Sequence, residues 1–412
     1  MNRSADIVIV GGGLAGASAA VMLGRTDHRV ILVDPFDPPR PDFRCEKLDP
    51  SQVQLLRRMG LAGLVLPAAT HNRELWVARL GRLADRLAID QYGILYQSLV
   101  SAVRRGIPSQ VDRLRSTVST IALSDTEQIL TLASGETISA LLIVLATGLN
   151  RALRNSVGFG CQTLSQNHSV TIGFDIVPEA GGCFNFESLT YYGEQPRDRV
   201  AYLTLFKLGD VMRANLMTYR EIDDTWLRSM RDDPQPALAE LMPNLAKLIG
   251  PFAIQGPVRI RPADLYVATN LDQPGLVLVG DAYAASCPAA GTGTNKVLND
   301  VERLCSVHLP RWLATPGMSA RKLASFYADP EKRAADRHSI EAAYALRARS
   351  LADGPFGHAA AYLRFLGRLT RGSVRRGLAR LRTRFGKHAA NPEMQDNPGM
   401  QDDNAAVEPR ST

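Results

Sequence analysis

Two textures of hydrophobic and polar residues alternate along the chain. Ile7-Val8-Ile9-Val10, Val30-Ile31-Leu32-Val33 and Leu276-Val277-Leu278-Val279 are unbroken apolar runs of strand length. Such runs predict parallel strands covered on both faces. Between the first two, the small residues from Leu14 to about Gly24 predict a helix, giving a β-α-β unit. Residues 51–60 (Val53, Leu55, Leu56, Met59) and 92–105 (Leu95, Leu99, Val103) each carry an apolar stripe at helical spacing, and short strands are expected near 117–123, 128–132 and 141–146. From 168 to 220 the texture changes. Val170-Thr171-Ile172-Gly173-Phe174, Phe184-Asn185-Phe186, Tyr202-Leu203-Thr204-Leu205-Phe206 and Asn215-Leu216-Met217 predict antiparallel sheet with one solvated face. Residues 223–249 and 295–350 read as mostly helical. The polar stretch after Lys387, rich in Pro, Asn and Asp, reads as disordered.

Composition narrows the class. With 412 residues, 45% of them apolar and 22% charged, the chain reads as an ordinary globular protein with two or three domains' worth of sequence. Five cysteines without a C-x-x-C pair suit reduced thiols in a cytoplasm and provide no zinc-ligand spacing, so no metal is expected. The uncharged stretch Ile7–Leu23 is short for a membrane span and holds Gly11, Gly12, Gly13 and Gly16 in its middle, unlike a signal-peptide core. The net charge of +7 is local, because nine basic residues and no acid fall between Gly354 and Lys387, leaving about −2 elsewhere. The body of the chain is therefore not a nucleic-acid surface on charge grounds.

The first site signal is Gly11-Gly12-Gly13-Leu14-Ala15-Gly16, a G-x-G-x-x-G string after a strand and before a helix. Gly11 permits the tight turn, Gly13 lets backbone approach a pyrophosphate at the helix N-terminus, and Gly16 permits close packing of helix on sheet. Asp34 ends the next strand eighteen residues after Gly16, where an acid can bind a ribose diol. The glycine string alone is a weak signal, and Asp34 ahead of Pro35 also reads as a turn residue. Together with the flanking strands they specify a dinucleotide site.

A second constellation lies nearly three hundred residues on. Gly280-Asp281 follows a buried strand, then come Pro288, Gly291-Thr292-Gly293-Thr294-Asn295 and Asp300. A strand end aims Asp281 at a polyol such as ribityl. The glycine loop lets backbone lie against a flat ring, and a helix starting near Asn295 points N–H groups at the ring's electron-rich edge. The competing reading of Gly280-Asp281 alone is a common strand-end Asp. The whole set points to FAD.

On these residues, with Arg44 in Phe43-Arg44-Cys45-Glu46-Lys47-Leu48, residues 5–330 resemble the FAD-dependent monooxygenases of the aromatic-hydroxylase type, whose superfamily includes flavin halogenases and isoprenoid reductases. The resemblance implies an α/β fold: a Rossmann-like FAD-binding domain with a parallel sheet, an inserted, mostly antiparallel substrate domain and a C-terminal helical region. The expected division is 1–75, 92–165 and 273–330 for the FAD domain, 76–91 and 166–272 for the substrate domain, 331–387 for a basic helical region and 388–412 for a disordered tail. The resemblance further implies that Arg44 sits near the pyrophosphate or flavin and that the Val118 backbone touches adenine. Asp281 would hold the ribityl chain, and Pro288 to Asn295 would line the isoalloxazine.

The chain departs from that pattern in places. Ala146-Thr147-Gly148 stands where the family usually has Ala-Asp-Gly, and Tyr92 stands where an Arg is usual before the Leu95–Leu99 helix. No second G-x-G-x-x-G unit serves a resident nicotinamide cofactor. NAD(P)H would visit transiently, or a partner flavin reductase would deliver reduced FAD. The expected activity is monooxygenation of an aromatic, conjugated or lipid-like small molecule with dioxygen through a flavin hydroperoxide. The alternatives are a flavin-dependent halogenase, an FAD-linked isoprenoid reductase and a non-catalytic FAD-fold binding protein.

Because the coenzyme carries the chemistry, no Ser/His/Asp set is needed, and no acid or base is singled out. His168 reads as an ordinary partly exposed residue, Cys287 as small packing and Lys47 as a solvated or cofactor-adjacent charge. Tyr202, Phe206, Arg213 and Tyr219 read as core or as pocket lining. In the tail, Val374, Leu378, Leu381 and Phe385 follow helical spacing between arginines. Residues 364–387 therefore read either as a helix packed on the FAD domain or as a peripheral contact with an anionic membrane of an otherwise cytoplasmic protein.

Overall fold

The computed structural model describes residues 2–44 and 46–352, and beyond them residues 362, 363, 366, 367 and 370. The basic segment with Val374, Leu378, Leu381 and Phe385, and the tail 388–412, lie outside the described residues.

Two sheets organise the molecule. The first is built on the apolar runs. Asn2–Val10 lies between Val30–Val33 and Thr137–Leu145, all parallel, and Asp112–Leu114 extends the sheet beyond Val30–Val33. Leu276–Leu278 pairs in parallel with the end of Thr137–Leu145, and the antiparallel strands Gln128–Leu132 and Val118–Ala122 complete the sheet. Ile7, Val8 and Ile9 are fully buried, as an unbroken apolar strand requires. One face is covered by the helix Leu14–Leu23, the helix Tyr96–Arg105 and the helix Gly293–Arg303. The small residues of Leu14–Leu23 permit that packing. A Cβ on Gly16 would stand 1.8 Å from the Gly11 carbonyl oxygen, so only glycine fits there.

The second sheet has nine strands in the order Ala284–Ala285, Phe252–Thr269, Gly160–Pro178, Val211–Thr218, Val200–Leu208, Ser188–Tyr192, Thr70–Arg79, Arg82–Gly93 and Lys47–Leu48. All its pairings are antiparallel except that of Ser188–Tyr192 with Thr70–Arg79. Its outer face packs on the short helices Thr225–Asp232, Pro234–Leu241 and Leu245–Ile249 through Trp226, Leu238 and Leu245.

One helix limit differs from the sequence expectation, beside a long hairpin. The hairpin containing 76–91 runs from Thr70 to Gly93, because Asn72 anchors its open end by donating to Lys207 O (3.2 Å) and accepting from Lys207 N (3.0 Å). The helix expected over 92–105 starts only at Tyr96, since Tyr92 and Gly93 still pair with Lys47–Leu48. The long strand Gly160–Pro178 begins paired with Thr269.

The long helix Pro330–Leu351 starts on a Pro after the capping Asp329, whose side chain accepts from Lys332 N. It runs past the second glycine loop and packs on the second sheet at His168 and Val200–Leu208. No helix among the described residues is long and apolar enough to cross a membrane.

Candidate functional site

A trough of about 840 Å³ lies between the two sheets, and Gly13 and Gly293 both line it. Of the residues picked out from the sequence, Gly11, Gly12, Gly13, Leu14, Ala15, Asp34, Arg44, Val118, Asp281, Pro288, Gly291, Gly293 and Thr294 line this one cavity. Gly16, Gly280, Thr292 and Asn295 stand behind its wall as supports.

At one end, Gly11 takes φ +99°, a conformation open to glycine, and turns the chain from strand to helix. Asp34 holds this turn: its carboxylate accepts from Gly12 N (2.6 Å) and Phe36 N (2.8 Å). Arg104, buried beneath, donates to Gly12 O from Nε (2.8 Å) and Nη2 (2.5 Å) and pairs with Asp34 at 3.0 Å. The Tyr96 hydroxyl accepts from Leu14 N at 3.3 Å, at the N-terminus of the helix Leu14–Leu23. Burial pushes the Tyr96 phenol upward, so it stays neutral there.

In the middle, Arg44 Nη1 meets Asp281 Oδ2 at 2.6 Å and Arg44 Nε binds Asp42. Burial opposes charge on Arg44, but Asp281 and Asp42 outweigh it and keep the guanidinium charged. Asp42 is also paired with Arg261 at 2.5 Å. The Gly280–Asp281 turn is fixed from behind. Gly280 N donates to Asp300 Oδ2 (3.0 Å), and Tyr266 Oη donates to Asp281 O (2.6 Å). Asp300 is fully buried between Lys296 (3.2 Å) and Lys332 (2.9 Å), and Lys332 also reaches Asp336 (3.0 Å). Burial alone would raise the Asp300 pKa, but the two ammonium groups lower it and the carboxylate stays ionised.

At the far end, Gly291 adopts φ +70°, and a Cβ there would meet no atom within 4 Å. The loop carbonyls are held from two directions. Tyr202 Oη donates to Ala289 O, and Gln52 Nε2 donates to Gly291 O (3.3 Å) and Asn295 Oδ1 (2.8 Å). Cys287 is fully buried beside Ser169, and burial raises its thiol pKa, which leaves it neutral packing. The second sheet closes this end with Thr171, Tyr202, Thr204, Phe206, Asn215 and Met217. Lys47 lines the trough near the Phe206 ring (5.9 Å). Behind it, Glu46 is buried in an ion pair with Arg213 (2.6 Å), which in turn holds Asp175 (2.6 Å).

One expected position changes, and one open reading resolves to core. His168 is not partly exposed but fully buried, because the helix Pro330–Leu351 covers it: Ala343 O lies 3.4 Å from Nε2 and the Tyr344 ring is at 5.1 Å. Tyr219 belongs to the small core cluster with Cys287 and Ala289, and does not line the trough. Arg104, Tyr96 and Gln52 were not picked out from the sequence. Gln52 carried a readable signal, the capping box Asp49-Pro50-Ser51-Gln52, which the structure forms. Arg104 carried none, since a basic residue in the last turn of a helix reads as a solvated cap.

A family model described as FAD binding domain matches residues 4–309. The chain belongs to the FAD binding domain family. FAD is its cofactor, and it is an FAD-dependent oxidoreductase. It is similar to 3-demethoxyubiquinol 3-hydroxylase of Escherichia coli (strain K12), 27% identical over 331 residues that cover 74% of this chain and 80% of that protein. It is also similar to kynurenine 3-monooxygenase of Salinispora arenicola (strain CNS-205), 27% identical over 337 residues that cover 73% of this chain and 72% of that protein. Among solved structures it shares the fold of p-nitrophenol 4-monooxygenase PnpA from Pseudomonas putida DLL-E4. There the TM-score is 0.71 at 15% identity, covering 91% of this chain and 97% of the other. The geometry fits the family's cofactor. Bare glycine backbone faces the trough at both ends, a polar strand-end acid stands midway, and the cavity is long enough to join them.

Proposed function

We infer that this oxidoreductase hydroxylates the ring of a small phenol or quinol, using NAD(P)H as a visiting electron donor and dioxygen as oxidant. The observation that carries the reading is the continuity of the trough. One cavity runs from the Gly11–Ala15 turn past Asp281 and the Pro288–Thr294 loop to an aromatic and aliphatic wall of Tyr202, Phe206 and Met217. A flat apolar ring fits such a wall, and the neighbouring Thr204 and Asn215 can orient its hydroxyl. The names of the relatives, a ubiquinol hydroxylase and a kynurenine monooxygenase, agree on aromatic ring hydroxylation.

In this reading the Gly11–Ala15 turn and Val118 hold the adenosine, with Asp34 shaping the turn for the ribose. Arg44 faces the pyrophosphate, Asp281 holds the ribityl chain, and Pro288, Gly291, Gly293 and Thr294 lie along the isoalloxazine. Bound FAD, once reduced, supplies the activation of dioxygen. The protein supplies the rest. The N-terminus of the helix Gly293–Arg303 favours negative charge on the adjacent ring. Tyr202, Phe206 and Met217 fix the ring of the substrate, and the enclosing sheet keeps water away from the reacting atoms.

The test is to purify the protein, measure flavin absorbance, and follow anaerobic bleaching by NADH and NADPH with and without a panel of phenols and hydroquinones. A yellow protein whose bleaching is accelerated by a phenol, with one atom of labelled dioxygen in the product, is the expected result. A colourless protein that takes up no FAD ends the reading. Bleaching only by a separate flavin reductase, with halide incorporated in place of oxygen, would replace it by halogenation.

A further inference from the structure

A second cavity, of about 310 Å³, adjoins the trough. Lys47, Tyr202 and Thr204 line both and form their common wall. The flavin loop divides them as well: Pro288 and Gly291 face the trough, while Ala289 and Ala290 face the second chamber. At this boundary the Tyr202 hydroxyl donates to the Ala289 carbonyl. On the far side the chamber is bordered by the helix Pro330–Leu351, through Ala342, Leu346 and the exposed Arg349, and it opens to solvent there.

The chemistry of the chamber is one-sided. Its lining contains two basic side chains, Lys47 and Arg349, several threonine and tyrosine hydroxyls and no carboxylate. Such a concave surface focuses positive potential and favours an anion. Arg349 is anchored by its Nε to the Ala345 carbonyl (3.0 Å), so its guanidinium is carried by the helix it belongs to. Ala290 and Leu346 supply an apolar stretch along which a short hydrocarbon arm can lie.

The geometry points to a subsite for an anionic side arm of the substrate: the ring occupies the trough against Phe206 and Met217, and a carboxylate-bearing arm passes Tyr202 into the second chamber, where Lys47 and Arg349 receive its charge. This rests on the hydroxylase reading and deepens it, because it names the substrate class as aryl-alkyl carboxylates. Tyr202 then has two roles at once. Its hydroxyl holds the Ala289 carbonyl while its ring flanks the arm.

Binding to the FAD-loaded protein tests this, read as the perturbation of the flavin absorption spectrum. The probes are phenol, 3-(4-hydroxyphenyl)propanoate and the methyl ester of the latter. In the wild type the propanoate should bind at least tenfold tighter than its ester. Arg349→Met and Lys47→Met should each bring that ratio down severalfold toward one. Leu346→Trp, which fills the chamber, should raise the ratio of propanoate Kd to phenol Kd at least tenfold. Equal binding of acid and ester to the wild type, or a ratio indifferent to Arg349→Met, overturns the subsite while phenol binding keeps the hydroxylase reading. If Arg349→Met raises only the KM for NADH or NADPH, the chamber serves the electron donor and the subsite is overturned. If none of the three probes perturbs the flavin, the aromatic-substrate reading falls, and the subsite with it.

Discussion

Arg44 and Asp281, 237 positions apart in the chain, meet in an ion pair of 2.6 Å on the wall of the trough. The pair joins the strand-loop that follows the first nucleotide fold to the turn that follows the last strand of the same sheet. Both groups are about three-quarters buried, and each has a second anchor: Asp42 for Arg44, and Tyr266 through the backbone for Asp281.

Replacing Asp281 by Ala should remove most of the FAD while leaving the protein folded, because the backbone of the turn is held by Tyr266 and Asp300 and not by its own carboxylate. Flavin absorbance per chain in the purified protein should fall at least tenfold, with far-UV circular dichroism unchanged. Wild-type flavin content in this variant would refute the assignment of Asp281 to the ribityl chain.

Arg104→Met should cost about 3 kcal/mol of unfolding free energy, the lower range for breaking a buried ion pair, because it strands Asp34 and frees the Gly12 carbonyl. FAD affinity should fall with it. Urea unfolding of the wild type and the variant, each with and without FAD, separates the two effects. A variant as stable as the wild type would mean that the turn holds itself.

Two glycines should answer alanine differently. At Gly16 the new Cβ would sit 1.8 Å from the Gly11 carbonyl oxygen, so Gly16→Ala should fail to yield soluble protein. At Gly291 it meets no atom, and the cost is the positive φ, about 1 kcal/mol. Gly291→Ala should therefore fold, and its loss should appear as weaker flavin binding and a shifted flavin spectrum. Expression yield and visible spectra check the contrast.

Acid should expose the role of Asp329. Burial would raise its pKa, but Arg303, the Lys332 amide and His308 hold it well below the usual carboxylate range. A depressed carboxylate adds stability that is full above the unfolded value near 4 and is lost as pH falls through the folded value. Asp329→Asn should thus be less stable than the wild type by about 2 kcal/mol at pH 7, and the gap should narrow steadily below pH 4. Denaturant unfolding from pH 7 to pH 3 measures it. A gap that stays constant would show that the charge does not matter.

What could be read from the sequence follows the range of the interactions involved. Ile7 to Val10 announced a buried parallel strand because burial on both faces leaves no polar position, and Gly11, Gly13 and Gly16 announced the turn because backbone shape is local. Asp281 and the Pro288–Thr294 loop were legible for the same reason. Arg104 was not, since its meaning depends on Gly12 and Asp34, which lie 92 and 70 positions back and come to it only through sheet and helix packing. His168 misled in the same way: the residues that bury it arrive from Ala343, 175 positions later. The hairpin 70–93 left no such mark, because its open end is fixed by Asn72 and Lys207 and not by a run of apolar residues.

The interleaving of the two sheets has a consequence for how new specificities can arise. The second sheet is assembled from pieces that alternate along the chain with those of the first, from Lys47–Leu48 to Ala284–Ala285. It is not one cassette, because Lys47–Leu48, Thr70–Arg79, Arg82–Gly93 and Ala284–Ala285 lie outside the continuous run from Gly160 to Thr269. Within that run, Tyr202 both lines the trough and holds the Ala289 carbonyl, so a replacement that reshapes the trough there also releases the Pro288–Thr294 loop.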